Sequence, residues 1–486
     1  MTGPIFNTVF ILTGGNKIFT STEDLIKGIK EKSIKHIDFK FTDFTGRWHH
    51  ITIPASRAGE KLFTDGVGFD GSNFPGLKSL ESGDLSLVPD METCFSDPFR
   101  TEPSISFICN IVESDTKKPF DRDPRAVSAK AEKYLASTGK ADRSLWGPEF
   151  EYHIFDEVYV DNSPLICGYE IFPGEGQFEG QYGLAPSGGY HAIPPEDISV
   201  DLRDRTVTLL EEAGVKVIYH HHEVGGHGQV EIEVQFGSPT RMGDVSMMVK
   251  HFCRMAAHSS GRQATFMPKP IYGEPGNGMH FHQHLFKGDE PLFYDSEGYA
   301  GLSRLALQYI SGLLIHAPAL LAITNPSTNS YKRLVPGYEA PVHSFFSLAN
   351  RSAAIRIPKY AVDPHSKRIE FRPPDATCNP YFSMAAQLMA GIDGIINELD
   401  PEELGLGPYD INIFEMDPKQ RGKIRELPTS LSEALDALES DHEFLTRGGV
   451  FSEAMIDEWI KIKHDNEVSQ IRERTHPYEY RLYFDC

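Results

Sequence analysis

Apolar and polar residues alternate with period two along Ile37-Asp38-Phe39-Lys40-Phe41-Thr42-Asp43, which predicts a strand. The Thr45-Gly46 turn then brings Trp48 to Ile53 back as its hairpin partner. A helical pattern over Thr22 to Lys32 precedes this hairpin, and Phe107 to Val112 reads as a further short strand. Residues 21–120 therefore predict a small sheet packed on a helix. Asp121-Arg122-Asp123-Pro124-Arg125 marks a boundary, with Pro124 opening a helix that runs to about Thr138. Acid-bearing strands alternate with helices over residues 121–395, the helices falling at 200–213, 240–260, 300–317 and 379–398. The chain beyond Asp400 is mostly polar and helical. It ends in Tyr478-Glu479-Tyr480-Arg481-Leu482-Tyr483-Phe484, a tail too apolar to stand free in water. Residues 1–20 read as an extension with no assigned role.

A chain of 486 residues buries a large core and divides into two or three domains. The formal charge of −22 argues against a nucleic-acid backbone as partner, and against a polybasic membrane anchor. No apolar run of about 18 residues is present, so no membrane span is expected. The six cysteines are scattered and form no Cys-x-x-Cys pair, and the start lacks a basic leader. These features fit reduced thiols in a cytoplasmic protein.

Against that acidic background, certain carboxylates stand out because they lie among apolar residues. Glu149 and Glu151 sit in Trp-Gly-Pro-Glu-Phe-Glu-Tyr, and spacing of two puts both on one strand face. Glu223 follows a histidine triplet, Glu231 lies in Gln-Val-Glu-Ile-Glu-Val, His280 in Gly-Met-His-Phe-His, and Glu370 in Arg-Ile-Glu-Phe-Arg. All of these segments read as strands, and of Glu231 and Glu233 only one need point inward. An isolated Glu-x-Glu is most often a solvated face, and a lone His-x-His is most often structural. Their joint presence points to two hard divalent ions with open positions, and so to chemistry on phosphates. A second constellation is basic. Lys332-Arg333, Arg351, Arg356, Arg368 and Arg372 are embedded among Ile, Ala and Pro, where surface ion pairing explains little. Arginine forks bind carboxylate or phosphate with two bonds at once. Neither a P-loop nor the kinase motif set is present, so a nucleotide would bind in another way.

Several runs then carry a family resemblance: Phe69-Asp70-Gly71-Ser72, Gly147-Pro148-Glu149-x-Glu151, Met267-Pro268-Lys269-Pro270, Asn325-Pro326 through Ala340-Pro341, and Asn379-Pro380-Tyr381. On these the chain resembles a type I glutamine synthetase from about residue 22 to 486. The resemblance implies an α+β protein: a β-grasp N-terminal domain over 21–120 and, over 121–486, a large catalytic α/β domain of the glutamine synthetase/guanido kinase type. It implies a ligase joining ammonia to glutamate through a γ-glutamyl phosphate, working on glutamate, ATP and ammonium. It implies two or three Mg2+ or Mn2+ ions per site. It also implies a dodecamer of two stacked hexameric rings with active sites between neighbours.

Carried over by position, Glu151, Glu223 and Glu231 would hold one metal, and Glu149, His280 and Glu370 the other. Glu151, Gly276, Arg333, Glu339, Arg351 and Arg372 would meet glutamate. Phe236, His282, His284, Arg351, Arg356 and Arg368 would meet ATP. Asp70 of the adjacent subunit would bind and deprotonate ammonium, Arg351 would stabilise phosphoryl transfer, and Glu339 would close the site. The chain departs from the family pattern at Pro275, at His284 where a Ser is common, and at His365 where a Lys is common. Phe414 stands where many relatives carry an adenylylated tyrosine, so that switch is expected to be closed, since phenylalanine has no hydroxyl. Two alternatives stay open: a ligase of the same family joining glutamate to a polyamine or other amine, and a catalytically silent structural ring.

Overall fold

The computed structural model describes residues 21–77, 83–176, 183–411 and 413–486. Two sheets organise it. The first contains, among the described residues, β1 (His36–Thr42), β2 (Trp48–Pro54), β3 (Val67–Asp70), β4 (Asp84–Pro89), β5 (Phe95–Ser96) and β6 (Ser104–Glu113), in the order β2-β1-β6-β4-β3 with β5 on β6. The hairpin β1–β2 is antiparallel, pairing Phe39 with Ile51. β1 runs parallel to β6, which extends beyond the Phe107–Val112 core that the pattern predicted. The helix Thr22–Glu31 opens on Ser21, whose hydroxyl accepts from the Asp24 N–H, with Glu23 and Asp24 set favourably in its first turn.

β1 shows where alternation misleads. Its apolar side chains are buried, and Asp38 and Lys40 on the other face are buried too. Asp38 accepts from Lys40 at 2.7 Å and faces His50 at 2.6 Å, while Lys40 also lies 3.6 Å from Asp97. A polar face was thus covered by a network that satisfies it.

The second sheet runs β10-β11-β7-β13-β17-β16-β15. Its strands are β7 (Arg143–Phe155), β10 (Val217–His222), β11 (Gln229–Val234), β13 (Phe281–Lys287), β15 (His343–Leu348), β16 (Ala353–Ile357) and β17 (Ile369–Phe371). β12 (Gln263–Thr265) adds to β7 and β14 (Glu290–Pro291) to β13, while β8 (Glu157–Asn162) and β9 (Cys167–Phe172) form a separate hairpin. Helices at Pro124–Ser137, Val200–Glu212, Pro239–Ser259 and Pro380–Ile396 fall where the pattern put them. Asp123 and Asn379 cap the first and last of these just before a proline, which costs no hydrogen bond at the first helical position. The helix expected at 300–317 is shorter. It spans Arg304–Ile315 and then bends by 72° into Ala317–Thr324. Among the described residues no single helix is long and apolar enough to cross a membrane.

Arg125, in the helix Pro124–Ser137, ties the first sheet to the helix Pro239–Ser259. Its guanidinium donates to both Asp244 oxygens at 2.9 and 3.0 Å, to Asp90 at 2.7 Å and to Asn110 at 2.5 Å. Asn379 adds a second link, donating to the carbonyls of Asp43 and Phe44. All six cysteines are free thiols, four of them buried.

Candidate active site

β11 pairs with β7 so that Glu231 lies opposite Glu151 and Glu233 opposite Glu149. β13 and β17 extend the same surface, with Glu370 beside His282. One sheet face therefore collects the acid residues. Two placements differ from the strand reading. Glu223 lies just beyond β10 and His280 just before β13. Both remain tied to the sheet by backbone bonds, Glu223 N–H to the Gln229 carbonyl at 2.8 Å and Glu149 N–H to the His280 carbonyl at 3.0 Å. Glu233 also differs: it points the same way as Glu231, and both are buried.

These residues line one cavity of about 400 Å³. Glu149, Glu151, Glu223, Glu231, His280 and Glu370 all reach it, as do Gly276, Arg333, Glu339, Arg351, Arg356 and Arg372. Ligand atoms of Glu149, His280 and Glu370 lie within 4.8 Å of one another, and so do those of His221, Glu223 and Glu231. Gly276 is required where it stands, since a Cβ there would lie 2.3 Å from the Pro268 carbonyl oxygen and against the Arg333 side chain.

The two groups differ electrostatically. Burial would raise the Glu149 carboxyl, but the charge of His282 and bonds with His280 and His282 hold it well below the usual range. Burial and the Glu149 charge oppose ionisation of Glu370, yet His282, Arg372 and Arg356 overcome them and lower it. Arg372 Nε donates to Glu370 at 3.0 Å and Arg356 Nη1 to its other oxygen. Glu223 has only weaker partners, His221 at 3.6 Å and the more distant Arg351 charge. Burial, then the charges of Glu151 and Glu231, push it up to about 9. Glu231 is raised well above the usual range by burial and by Glu149 and Glu151. Glu223 Oε2 is a buried oxygen without a hydrogen-bond partner. Clustered oxygens that repel one another, one of them orphaned, fit a hard divalent cation.

The arginines frame these acids. Arg333 Nη2 donates to His280 Nε2 at 3.2 Å, which turns Nδ1 toward Glu149 at 3.2 Å. Arg351 Nη1 donates to Glu339 at 2.8 Å at the cavity mouth. His282 lies behind the cavity, 2.6 Å from Glu149 Oε1, with Arg368 Nε 3.3 Å from its Nδ1. Arg368 in turn lies over the Phe236 ring at 5.4 Å. His284 packs against Phe236 at 5.5 Å, and burial with the nearby Arg368 and His282 charges lowers it to about 3, so it is neutral.

Asp70 is not brought to this cavity within the chain. It ends β3, fully exposed, and its carboxylate accepts from the Ser72 N–H and hydroxyl at 2.9 and 2.7 Å. Pro275 lines the cavity, whereas His365 is exposed in a turn. The side chain of Phe414 lies outside the described residues. Sequence reasoning missed Tyr190, Tyr219, His221, Tyr338 and Tyr360, which line the cavity, and Glu233, buried beside Glu149 and His282. His221, Glu233 and Tyr338 had a signal, in the histidine triplet, the second glutamate of Glu-Ile-Glu and the Asn325–Pro341 run.

Paired acid clusters for hard cations, with arginine forks facing them, are the equipment of an enzyme that handles phosphate groups. The description "Glutamine synthetase, catalytic domain" matches residues 121–483, and "Glutamine synthetase, beta-Grasp domain" matches residues 33–114. The glutamine synthetase of Mycolicibacterium smegmatis is 44% identical over 477 residues, covering 96% of this chain and 99% of that one. A 3-hydroxylaminophenol mutase of Cupriavidus pinatubonensis is 44% identical over 473 residues, covering 96% and 99%. A cryo-EM structure of Plasmodium falciparum glutamine synthetase superposes with a TM-score of 0.86 at 27% identity, covering 96% of this chain and 99% of that one. The chain belongs to the glutamine synthetase family, with its β-grasp domain followed by the large catalytic domain.

Proposed function

We propose that the chain ligates ammonia to the γ-carboxylate of L-glutamate with ATP, giving L-glutamine, ADP and phosphate. The observation that carries this reading is the cavity in which Glu149, Glu151, Glu223, Glu231, Glu370 and His280 face Arg333, Arg351, Arg356 and Arg372. Curated glutamine synthetases match at 44% identity over 96% of the chain, and a relative of equal identity is described as a 3-hydroxylaminophenol mutase. The arginine forks favour ligation, because they suit two anionic substrates held side by side.

A carboxylate is a poor electrophile, so it must first acquire a leaving group. A γ-carboxylate oxygen of glutamate attacks the γ-phosphorus of ATP. The bond to the β-phosphate oxygen breaks, and ADP departs. Arg351 and Arg356 neutralise charge on the transferring group, while Arg368, His282, His284 and Phe236 seat the nucleotide. Arg333, Arg372 and Gly276 seat glutamate. Glu151, Glu223 and Glu231, and separately Glu149, His280 and Glu370, would hold two Mg2+ or Mn2+ ions, which when bound neutralise phosphate charge. Ammonium cannot attack until it loses a proton, and Asp70 of a neighbouring subunit takes it. The nitrogen then forms a bond to the γ-carbonyl carbon and gives up a second proton, which the phosphate takes as its bond to that carbon breaks. Glu339 covers the site and keeps water out.

An intersubunit site requires an oligomer, and a dodecamer of two hexameric rings supplies one. Tyr478, Tyr480, Leu482, Tyr483 and Phe484 are all exposed on the terminal helix Pro477–Tyr483, an apolar surface that asks for cover. The test is positional isotope analysis with glutamate labelled with oxygen-18 in its γ-carboxylate. Transfer of one label into phosphate supports the acyl phosphate route, and unlabelled phosphate overturns it.

A further inference from the structure

Glu339 stands at the cavity mouth on the segment Gly337–Ala340, whose backbone is unusual. Gly337 has φ +98°, and Glu339, with a Cβ, has φ +57°. A left-handed glutamate is disfavoured in a free chain, so this shape must be held from outside. Three contacts hold it. Arg351 Nη1 donates to the Glu339 carboxylate at 2.8 Å, and Arg372 Nη1 donates to the Glu339 carbonyl at 3.1 Å. The third is Lys269, whose Nζ sits 3.7 Å from the centre of the Tyr338 ring.

The first two contacts use groups that the chemistry needs elsewhere. Arg351 and Arg372 must turn to phosphate and glutamate when those anions arrive, and that exchange weakens their grip on Glu339. The Lys269–Tyr338 contact uses no such group. Lys269 is also built to stay in place: its N–H donates to Asn329 Oδ1 at 2.7 Å, Asn329 Nδ2 donates back to its carbonyl at 3.2 Å, and its Nζ donates to the Glu274 carbonyl. The cation is therefore fixed at both ends, and Tyr338 is the part that docks on it. Cation–π attraction favours such docking, more strongly where water is partly excluded.

We infer that Lys269 and Tyr338 form a latch that keeps Glu339 over the cavity while the γ-glutamyl phosphate exists, so that ammonia rather than water reaches it. Both are positioning residues. The inference rests on the proposed reaction. With the latch open, water attacks the γ-carbonyl carbon, the bond from that carbon to the phosphate oxygen breaks, and glutamate and phosphate leave. ATP is then spent without glutamine.

The test measures phosphate released per glutamine formed, at saturating ATP, glutamate and ammonium, for the assembled enzyme and for Lys269→Met, Tyr338→Leu and Tyr338→Phe. The wild type is expected to give one phosphate per glutamine. K269M and Y338L are expected to raise the ratio by about three- to ten-fold, the range that the loss of a partly desolvated cation–π contact allows. Y338F, which keeps the aromatic face, is expected to stay near one. The double variant K269M/Y338L should be no worse than either single variant, since one contact is lost in each. A general structural fault lowers both products together and leaves the ratio at one, and that result overturns the latch. A raised ratio in Y338F overturns it too. If the wild type makes no glutamine, it is the ligase reading that fails.

Discussion

Glu370→Gln removes one charge and almost no volume from the centre of the site. Glu370 is 2% exposed, with Arg372 Nε at 3.0 Å from one oxygen, Arg356 Nη1 on the other, and His280 Nδ1 at 3.6 Å. The amide keeps one acceptor and turns a donor toward the second guanidinium. One charge-assisted bond is lost and the other becomes neutral, a cost of about 2–4 kcal/mol when each is worth about 1.5–3. Breaking a buried ion pair by removing one partner costs about 3–5 kcal/mol. The two routes agree near 3 kcal/mol, so the variant should unfold at measurably lower urea even without cations. The cation effect is separate. Glu370 belongs to the group with Glu149 and His280 and not to the group with Glu223 and Glu231. Mn2+ titration by calorimetry should show one site weakened by at least about 10- to 100-fold, the loss seen when even an outer partner of a metal ligand is removed, and the other site near its wild-type affinity. Glutamine formation should fall by at least as much. Two sites of wild-type affinity, or equal weakening of both, would refute the two-group assignment.

On the proposed role of its exposed carboxylate in handling ammonium alone, Asp70→Ala should spare glutamate-dependent phosphoryl transfer and cripple glutamine formation at low ammonium; normal ammonium dependence in steady-state kinetics would remove that role. Stripping cations with a chelator should make stability fall with rising pH. Glu223 holds its proton up to about 9 in the fold but loses it near 4.3 in the unfolded chain, so the folded state binds more protons over that window and stability declines from about pH 4.3 toward 9. Glu149 and Glu370 are lowered, so their contribution changes only below that window. Thermal scans at pH 6 and 9, with and without Mn2+, check this, and the cation should abolish the slope. Deleting residues 476–486 removes the exposed tail helix and should reduce the particle mass measured by light scattering; an unchanged mass would deny the tail a role in joining rings.

Much of this was legible because period and chemistry reinforced each other. Glu149 and Glu151 sat two apart among Trp146, Phe150 and Tyr152, so their shared face and burial followed from the strand. Pro124 opens its helix where the sequence put it, with Asp123 as the cap. What escaped depends on pairing between distant segments. Tyr190 and Tyr360 reach the cavity from connecting segments, where no periodicity marks a direction. Of Glu231 and Glu233 only one need point inward, yet Glu233, opposite Glu149, is buried as well. The Lys269–Tyr338 contact joins residues 69 apart in sequence, which no local pattern can express. Asp70 shows the opposite case: its motif was plain, while the single chain leaves it outside the cavity.

The central claim is that this cavity activates glutamate for attack by ammonia. The most direct measurement is ADP release with ATP, Mg2+ and glutamate, comparing ammonium with a panel of mono-, di- and polyamines and quantifying each amide product. The account predicts that ammonium gives the highest kcat/KM, with one glutamine per ADP. A higher kcat/KM for any other amine, or no glutamate-dependent ADP release at all, would contradict it.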